Sequence, residues 1–282
     1  MNLTDTVKSL QSQIALLRTE GKSIGFVPTM GALHEGHLSL VSRCLSDNDV
    51  CVVSIFVNPT QFNDKEDLKK YPRNIEQDIQ LLSTLSDNII VFNPSEKEVY
   101  PEPDTRQFDF GMIDKVMEGK FRPGHFNGVA QVVSRLFDIV KPDRAYFGEK
   151  DFQQLAVIRD MVKQLDLPVE IVPMPIVRED SGLARSSRNE RLSPKQREIA
   201  ANISKSLFKS REEKDEKSVK EITDKVISEI NSFDELEVEY FEIVDGYSLQ
   251  PVSDWNDSGY TVGCIAVFCG PVRLIDNIIY IS

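Results

Sequence analysis

"SIGFVPTMGALHEGHLSLVSRCLS", residues 23–46, reads as strand, glycine turn and helix in succession. "SIGFV" is a short apolar run of strand type, and "HLSLVSRCLS" carries its apolar residues at helical spacing. The same alternation recurs along the chain. "VCVVSIFV" (50–57), "NIIVF" (88–92), "RAYFG" (144–148) and "VEIVPMPIV" (169–177) are strand-like, with helical segments between them. One such segment is "NGVAQVVSRLFDIV" (127–140), where Asn127 reads as the helix cap. Strands alternating with helices imply βαβ units and a parallel sheet covered on both faces. Residues 1–176 are therefore expected to form a doubly wound, Rossmann-like α/β domain.

The composition changes beyond that point. "SPKQREIAANISKSLF" (193–208) opens on a Ser-Pro helix start. In "SREEKDEKSVKEITDKVISEINSF" (210–233) a stripe of Val219, Ile222, Val226 and Ile230 runs through mixed charges that read as a solvated face. "VEYFEIVDGYSL" and "VGCIAVFCGPVRLIDNI" read as strands with turns. Residues 177–282 are expected to form a smaller α+β domain.

Length and charge bound the function classes. With 282 residues and a net charge of −12, a surface made for nucleic acid or anionic membrane is not expected. No apolar stretch approaches a membrane span, and the N-terminus, with Val7, Leu10, Ile14 and Leu17 at helical spacing and Gly21 as a stop, lacks signal-peptide character. Cys44, Cys51, Cys264 and Cys269 show no zinc-type spacing and read as buried thiols. A soluble, cytoplasmic protein is the expectation.

Polar residues concentrate at the carboxyl ends of the proposed strands, where doubly wound sheets bind ligands. After "SIGFV" come Pro28, Thr29, Met30 and Gly31, then His34 and His37; after "VCVVSIFV" come Asn58 and Gln61. After "RAYFG" come Glu149, Lys150, Asp151, Gln153 and Gln154; after "VEIVPMPIV" come Arg178 and "GLARSSRNE". The chain holds 3 histidines, and the first turn has two of them; the third, His125, sits in "FRPGHFNGV". Gly31 and Gly36 have the gap of a P-loop, but His37-Leu38 replaces its Lys-Ser/Thr, and no GxGxxG is present. What remains is a glycine turn at a helix N-terminus, whose backbone amides and dipole suit an anion, with imidazoles to donate as charge develops on phosphate. A zinc pair at His34 and His37 is a rival, at i, i+3 spacing and without an evident third ligand; a metallohydrolase adding His125 is its extension. Lys150 stands where a helix opens, a place that suits a cation only if it faces an anion. "SSRN" offers hydroxyls, guanidinium and amide to a triphosphate, or is simply a surface loop.

Taken together, "PTMGALHEGHLSL", "FVNPTQF", "YPR", "FRPGHFNGV", "FGEKDFQQL" and "GLARSSRN" resemble the pantoate–β-alanine ligases (pantothenate synthetases) of the nucleotidylyltransferase superfamily. The resemblance implies condensation of pantoate with β-alanine through a pantoyl adenylate, using ATP and magnesium and releasing pyrophosphate and AMP. It implies ATP contacts from Met30, Gly31, Ala32, Leu33, His34, Glu35, Gly36 and His37, from Gly148, Glu149, Lys150 and Asp151, and from Val177, Arg185, Ser186, Ser187 and Arg188. Among these, His37 would be the proton donor, His34 its support at the same phosphates, and Lys150, Ser186, Ser187 and Arg188 the phosphate ligands. Gln61 and Gln154 would contact pantoate, Gln61 also lying near β-alanine. Where relatives carry two acidic residues after "YPR", this chain has Gln77 and Asp78, so Asp78 alone keeps a carboxylate for magnesium, which ATP phosphates and water would mainly hold. The resemblance also implies a homodimer. A simple nucleotidyltransferase that leaves the nucleotide on its product is the rival within the superfamily. The second domain is expected to act as a lid, with "GLARSSRN" as its ATP-sensing edge and Gly182 lending the loop freedom.

Overall fold

The structure, a computed structural model, describes residues 1–61, 68, 69, 71 and 73–282. Phe62 of "FVNPTQF" and Pro72 of "YPR" lie outside the described residues. The chain packs into two compact units. One comprises Met1–Phe110, Arg122–Glu149 and Val157–Pro175; the other comprises Gly111–Phe121, Lys150–Ala156 and Ile176–Ser282.

The first unit is built on six parallel strands in the order β1-β4-β3-β2-β5-β6. These are β1 (Asn2–Thr4), β2 (Ile24–Thr29), β3 (Val50–Ile55), β4 (Ile90–Phe92), β5 (Arg144–Gly148) and β6 (Glu170–Met174). The central strand β3 is buried along its whole length, as its Val- and Cys-rich sequence requires, while the edge strand β6 is partly exposed. The helices α1 (Val7–Thr19), α2 (Glu35–Asp47), α3 (Ile75–Ser83), α4 (Glu96–Val99) and α6 (His125–Val140) accompany this sheet. Leu10 and Ile14 are the buried stripe of α1, and Phe137 of α6 meets Phe26 of β2 edge-on at 6.2 Å. From β2 the chain steps through β3 to β4 toward one edge; from β5 it steps to β6 at the other. The strand order reverses between β2 and β5, and doubly wound sheets bind ligands beyond the carboxyl ends at such a reversal.

Two local expectations change. α6 begins at His125 with Gly124 (φ 79°) as its N-cap, so Asn127 lies inside the helix. Its side chain bonds the 106–108 backbone instead, accepting the Phe108 N–H at 3.0 Å and donating to the Arg106 carbonyl at 3.3 Å. The residues before α1 form β1, a strand of three residues paired with β4 and too short to carry a periodic signal.

The second unit carries the antiparallel sheet β7-β8-β9, from β7 (Leu236–Asp245), β8 (Thr261–Cys269) and β9 (Val272–Ile281). Helices α8 (Pro194–Glu212) and α9 (Val219–Asn231) bury Leu207, Ile222, Val226 and Ile230 against it. The Ser-Pro signal is realised as a capping box of Ser193 and Gln196 with Pro194 in the first turn. The short helix α5 (Met117–Phe121) joins this unit through Glu118, which takes both terminal nitrogens of Arg273 (2.6 and 2.9 Å) and the Tyr240 hydroxyl (2.9 Å). Helix α7 (Phe152–Gln164) starts in this unit and ends in the first. All 4 cysteines are buried and unbridged. Among the described residues no helix is long and apolar enough to cross a membrane.

Candidate active site

At the carboxyl end of β2 the chain turns on Gly31 (φ 82°) and Ala32 (φ 50°), two consecutive left-handed residues. A left-handed alanine is strained by about 1 kcal/mol or more, so surrounding bonds must hold it. They do. The Gly31 N–H donates to Thr29 Oγ1 at 3.2 Å, and the Ala32 and Leu33 N–H groups donate to Asp78 Oδ2 and Oδ1 at 3.1 and 2.7 Å. Asp78, on the first turn of α3, is only 2% exposed. Burial pushes its carboxyl above the ordinary range, while the two amide bonds pull it down. The turn is thus not an open anion nest: at Gly31, Ala32 and Leu33 the amides already have internal acceptors.

Donors toward a ligand come from side chains instead. His34 is the N-cap of α2, its Nδ1 accepting the Gly36 N–H at 3.1 Å. His37, three residues on, completes a capping box, its Nδ1 accepting the His34 N–H at 3.3 Å. The rings lie 4.1 Å apart, centroid to centroid. A ring nitrogen that accepts is unprotonated, so each neutral imidazole carries its proton on Nε2. The capping geometry therefore makes both histidines Nε2–H donors at the head of α2.

Gln61 meets this turn through Met30, its Nε2 lying 2.9 Å from Met30 Sδ. It is buried and fixed from three directions. Asn58 Nδ2 donates to its Oε1 at 3.2 Å; His125 Nδ1 bonds its carbonyl at 2.8 Å; and Gly128 lets α6 approach. A Cβ on Gly128 would stand 2.6 Å from the Thr60 carbonyl oxygen, so only glycine admits this crossing. Asn58 in turn accepts from the Tyr100 hydroxyl at 3.0 Å, and burial pushes that phenol up to about 12. His125 accordingly positions Gln61, and does not join His34 and His37 in a metal triad. Among the described residues no group of three metal-ligating side chains is assembled. A cavity of about 470 Å³ opens beside the turn, lined by Met30, Gly31, Phe56, Pro59, Arg73 and Asp78 among others, a size that suits a small molecule.

Gly148 ends β5 and Glu149 opens the 3-10 turn that follows, both in this unit; Lys150 and Asp151 begin the next. Within the second unit, Lys150 precedes α7 in a short 3-10 turn, with Nζ 3.3 Å from Asp151 Oδ2. Its carbonyl accepts from Asn277 Nδ2 of β9 at 3.1 Å. Gln153 and Gln154 part company. Gln153 is buried and holds the backbone at Ile113, Val116 and Glu118, whereas Gln154 is half-buried. Around "GLARSSRN" the Arg185 N–H donates to the Val177 carbonyl at 2.9 Å, and Ser186 caps the 3-10 turn Ser187–Arg191. Glu179 anchors this loop, accepting from Arg197 twice at 2.8 Å and from Asn189 at 2.9 Å. Gly182 (φ 93°) takes a left-handed turn here, its N–H donating to the Glu179 carbonyl at 2.8 Å.

A family model described as pantoate-beta-alanine ligase matches residues 2–279. The chain belongs to the pantoate–β-alanine ligase family. It is 60% identical over 280 residues to the pantothenate synthetase of Bacteroides thetaiotaomicron and 61% identical over 281 residues to that of Phocaeicola vulgatus, with 99% of each chain covered in both cases. The crystal structure of pantothenate synthetase from Thermus thermophilus superposes with a TM-score of 0.92 at 44% identity, over 100% of both chains. That of the Francisella tularensis pantoate-beta-alanine ligase, complexed with "Beta-gamma ATP and Beta-alanine", superposes at 0.82 and 39% identity, over 99% of this chain and 98% of that one. Membership makes the chain a ligase, and the parallel sheet with its smaller antiparallel partner is the family's fold. The sequence alone does not reveal Tyr100 or the amide-binding role of Asp78, because both act across more than 40 residues of chain.

Proposed function

We propose that this chain condenses pantoate with β-alanine at the expense of ATP, through a pantoyl adenylate. The observation that carries the reading is the pair of Nε2–H donors that the His34–His37 capping box sets at the head of α2. The family and the ligand-bound Francisella tularensis relative supply the substrates. A carboxylate oxygen of pantoate attacks the α-phosphorus of ATP, and the bond to the bridging oxygen breaks as pyrophosphate leaves. His34 and His37 donate hydrogen bonds through Nε2–H to phosphate oxygens as their charge grows, with His37 the donor on which the step chiefly depends. The β-alanine amine then attacks the acyl carbon and AMP departs. Gln61, fixed by His125 and Asn58, orients pantoate, and Gln154 shares that task. Met30, Gly148, Glu149, Asp151, Val177 and Arg185 contribute to ATP binding, and Lys150, Ser186, Ser187 and Arg188 neutralise its phosphates.

Magnesium enters as the ion of the nucleotide substrate. With one backbone amide on each of its oxygens, Asp78 is a minor partner for the ion, which ATP phosphates and water mainly hold. In this reading the second unit shields the hydrolysis-prone adenylate, and the protein works as a cytoplasmic homodimer. Limited proteolysis tests the shielding: ATP with magnesium should protect cleavage sites within residues 178–192. The reaction itself is tested by incubation with ATP, magnesium, pantoate and β-alanine. AMP, pyrophosphate and labelled β-alanine in the product are expected; ADP and phosphate, or a product that keeps the nucleotide, would overturn the proposal.

A further inference from the structure

Asp78 has a task in this chain that the reaction alone does not assign. Its carboxylate reaches over from α3 and takes the amides of two successive turn residues, Ala32 and Leu33, from 46 and 45 positions away. The start of α3 is itself fixed, since the Asn74 side chain caps it by accepting the Gln77 N–H at 3.1 Å. Leu33 leads directly into His34, whose N–H rests on His37 Nδ1. One chain of bonds therefore runs from α3 through Asp78 and the left-handed turn to both imidazoles. The clasp closes only over glycine: a Cβ on Gly31 would stand 2.9 Å from Asp78 Oδ2 and 3.1 Å from Ile55 Cγ2.

We propose that Asp78 is a positioning residue for adenylation, clamping the turn at Ala32 and Leu33 so that His34 and His37 hold their Nε2–H groups in one fixed pair. This rests on the reading that those imidazoles act on ATP phosphates. Here the two oxygens lie on two amides of one strained turn, while the Gly31 amide beside them goes to Thr29 Oγ1.

The test is pyrophosphate release in the adenylation half-reaction, titrated in ATP and separately in magnesium, for Asp78→Asn, Gly31→Ala, their double variant and His37→Ala. Asparagine keeps the shape but presents an amide group to one of the two N–H donors, so the clasp is half broken. Gly31→Ala breaks it from the other side. Each single variant should lower kcat roughly 10- to 100-fold, the scale of a misplaced catalytic group. KM for ATP and the magnesium half-saturation should move by less than about threefold, because the lost contacts serve the transition state. The double variant should fall no more than about threefold below the worse single, since both changes damage one contact. Wild-type kcat in Asp78→Asn, a magnesium half-saturation raised in step with the loss of rate, or loss of the folded state by circular dichroism in both single variants would each overturn the clasp. His37→Ala separates the two ideas. Full adenylation in that variant overturns the histidine assignment and this proposal with it, whereas an impaired His37→Ala beside an intact Asp78→Asn overturns the clasp alone.

Discussion

His34 donates its backbone N–H to Nδ1 of His37 at 3.3 Å, and its own Nδ1 receives the Gly36 N–H at 3.1 Å. Each ring thus does two jobs, one nitrogen finishing the helix and the other presenting a proton. Substitutions can split them. Asn at position 37 can mimic the Nδ1 acceptor, and Gln can mimic the distal donor. His37→Asn should therefore fold and melt close to wild type yet lose adenylation by about 10²-fold, the usual effect of removing a positioned donor or acid. His37→Gln should recover part of that loss and melt within about 1 kcal/mol of wild type, since glutamine at this position can accept the N-cap N–H as Gln196 does for Ser193. Rate measurements on the half-reaction, with thermal melts beside them, check both; equal rates in the two variants would mean that the distal nitrogen does not matter.

Gln61 offers a second test because its placement depends on a helix it does not belong to. Gly128→Ala would drive a methyl to 2.6 Å from the Thr60 carbonyl oxygen, which is backbone and must shift. The Pro59–Gln61 turn should move with it, raising KM for the small carboxylate substrate roughly 10-fold or more while KM for ATP changes little. His125→Ala removes the bond to the Gln61 carbonyl and should cost about 1–3 kcal/mol of stability, the scale of a buried polar group left unpaired. Steady-state kinetics with each substrate varied in turn, and denaturant unfolding, read these effects.

The sequence declared the elements whose signals are local. β2, its glycine turn and α2 follow from one strand run, two glycines and one helical stripe, and the start of α8 follows from Ser193 and Pro194. It was silent where a partner lies far along the chain. Nothing in "NIEQDIQLL" says that Asp78 will meet Ala32 and Leu33, or in "FQQL" that Gln153 is buried and Gln154 only half so. The glycine turn reads as open to an anion for the same reason, since the acceptor for the Ala32 and Leu33 amides comes from a distant helix. Likewise, α5 joins the second unit because Glu118 finds Arg273 and Tyr240, a match of charge and hydroxyl that no spacing encodes.

Glu179 makes the last prediction, through pH. The Arg197 guanidinium beside it, followed by the Asn189 amide, holds its carboxyl below the ordinary glutamate value. A carboxylate with a depressed folded value contributes stability that is complete above its unfolded value, about 4.3, and is lost as pH falls through the folded one. The bonds to Arg197 and Asn189 should stabilise the second unit by about 1–2 kcal/mol at pH 7, toward the lower part of the range for charged partners because Arg197 remains 36% exposed. Glu179→Gln lacks that titration. Its melting temperature should lie below wild type from pH 7 down to about pH 5, and the two curves should converge as wild type loses its advantage below about pH 4. Calorimetric scans across that interval decide the matter: a gap that stays constant to pH 3 would show that the Glu179 charge contributes nothing, and that the loop is anchored by Asn189 and the backbone alone.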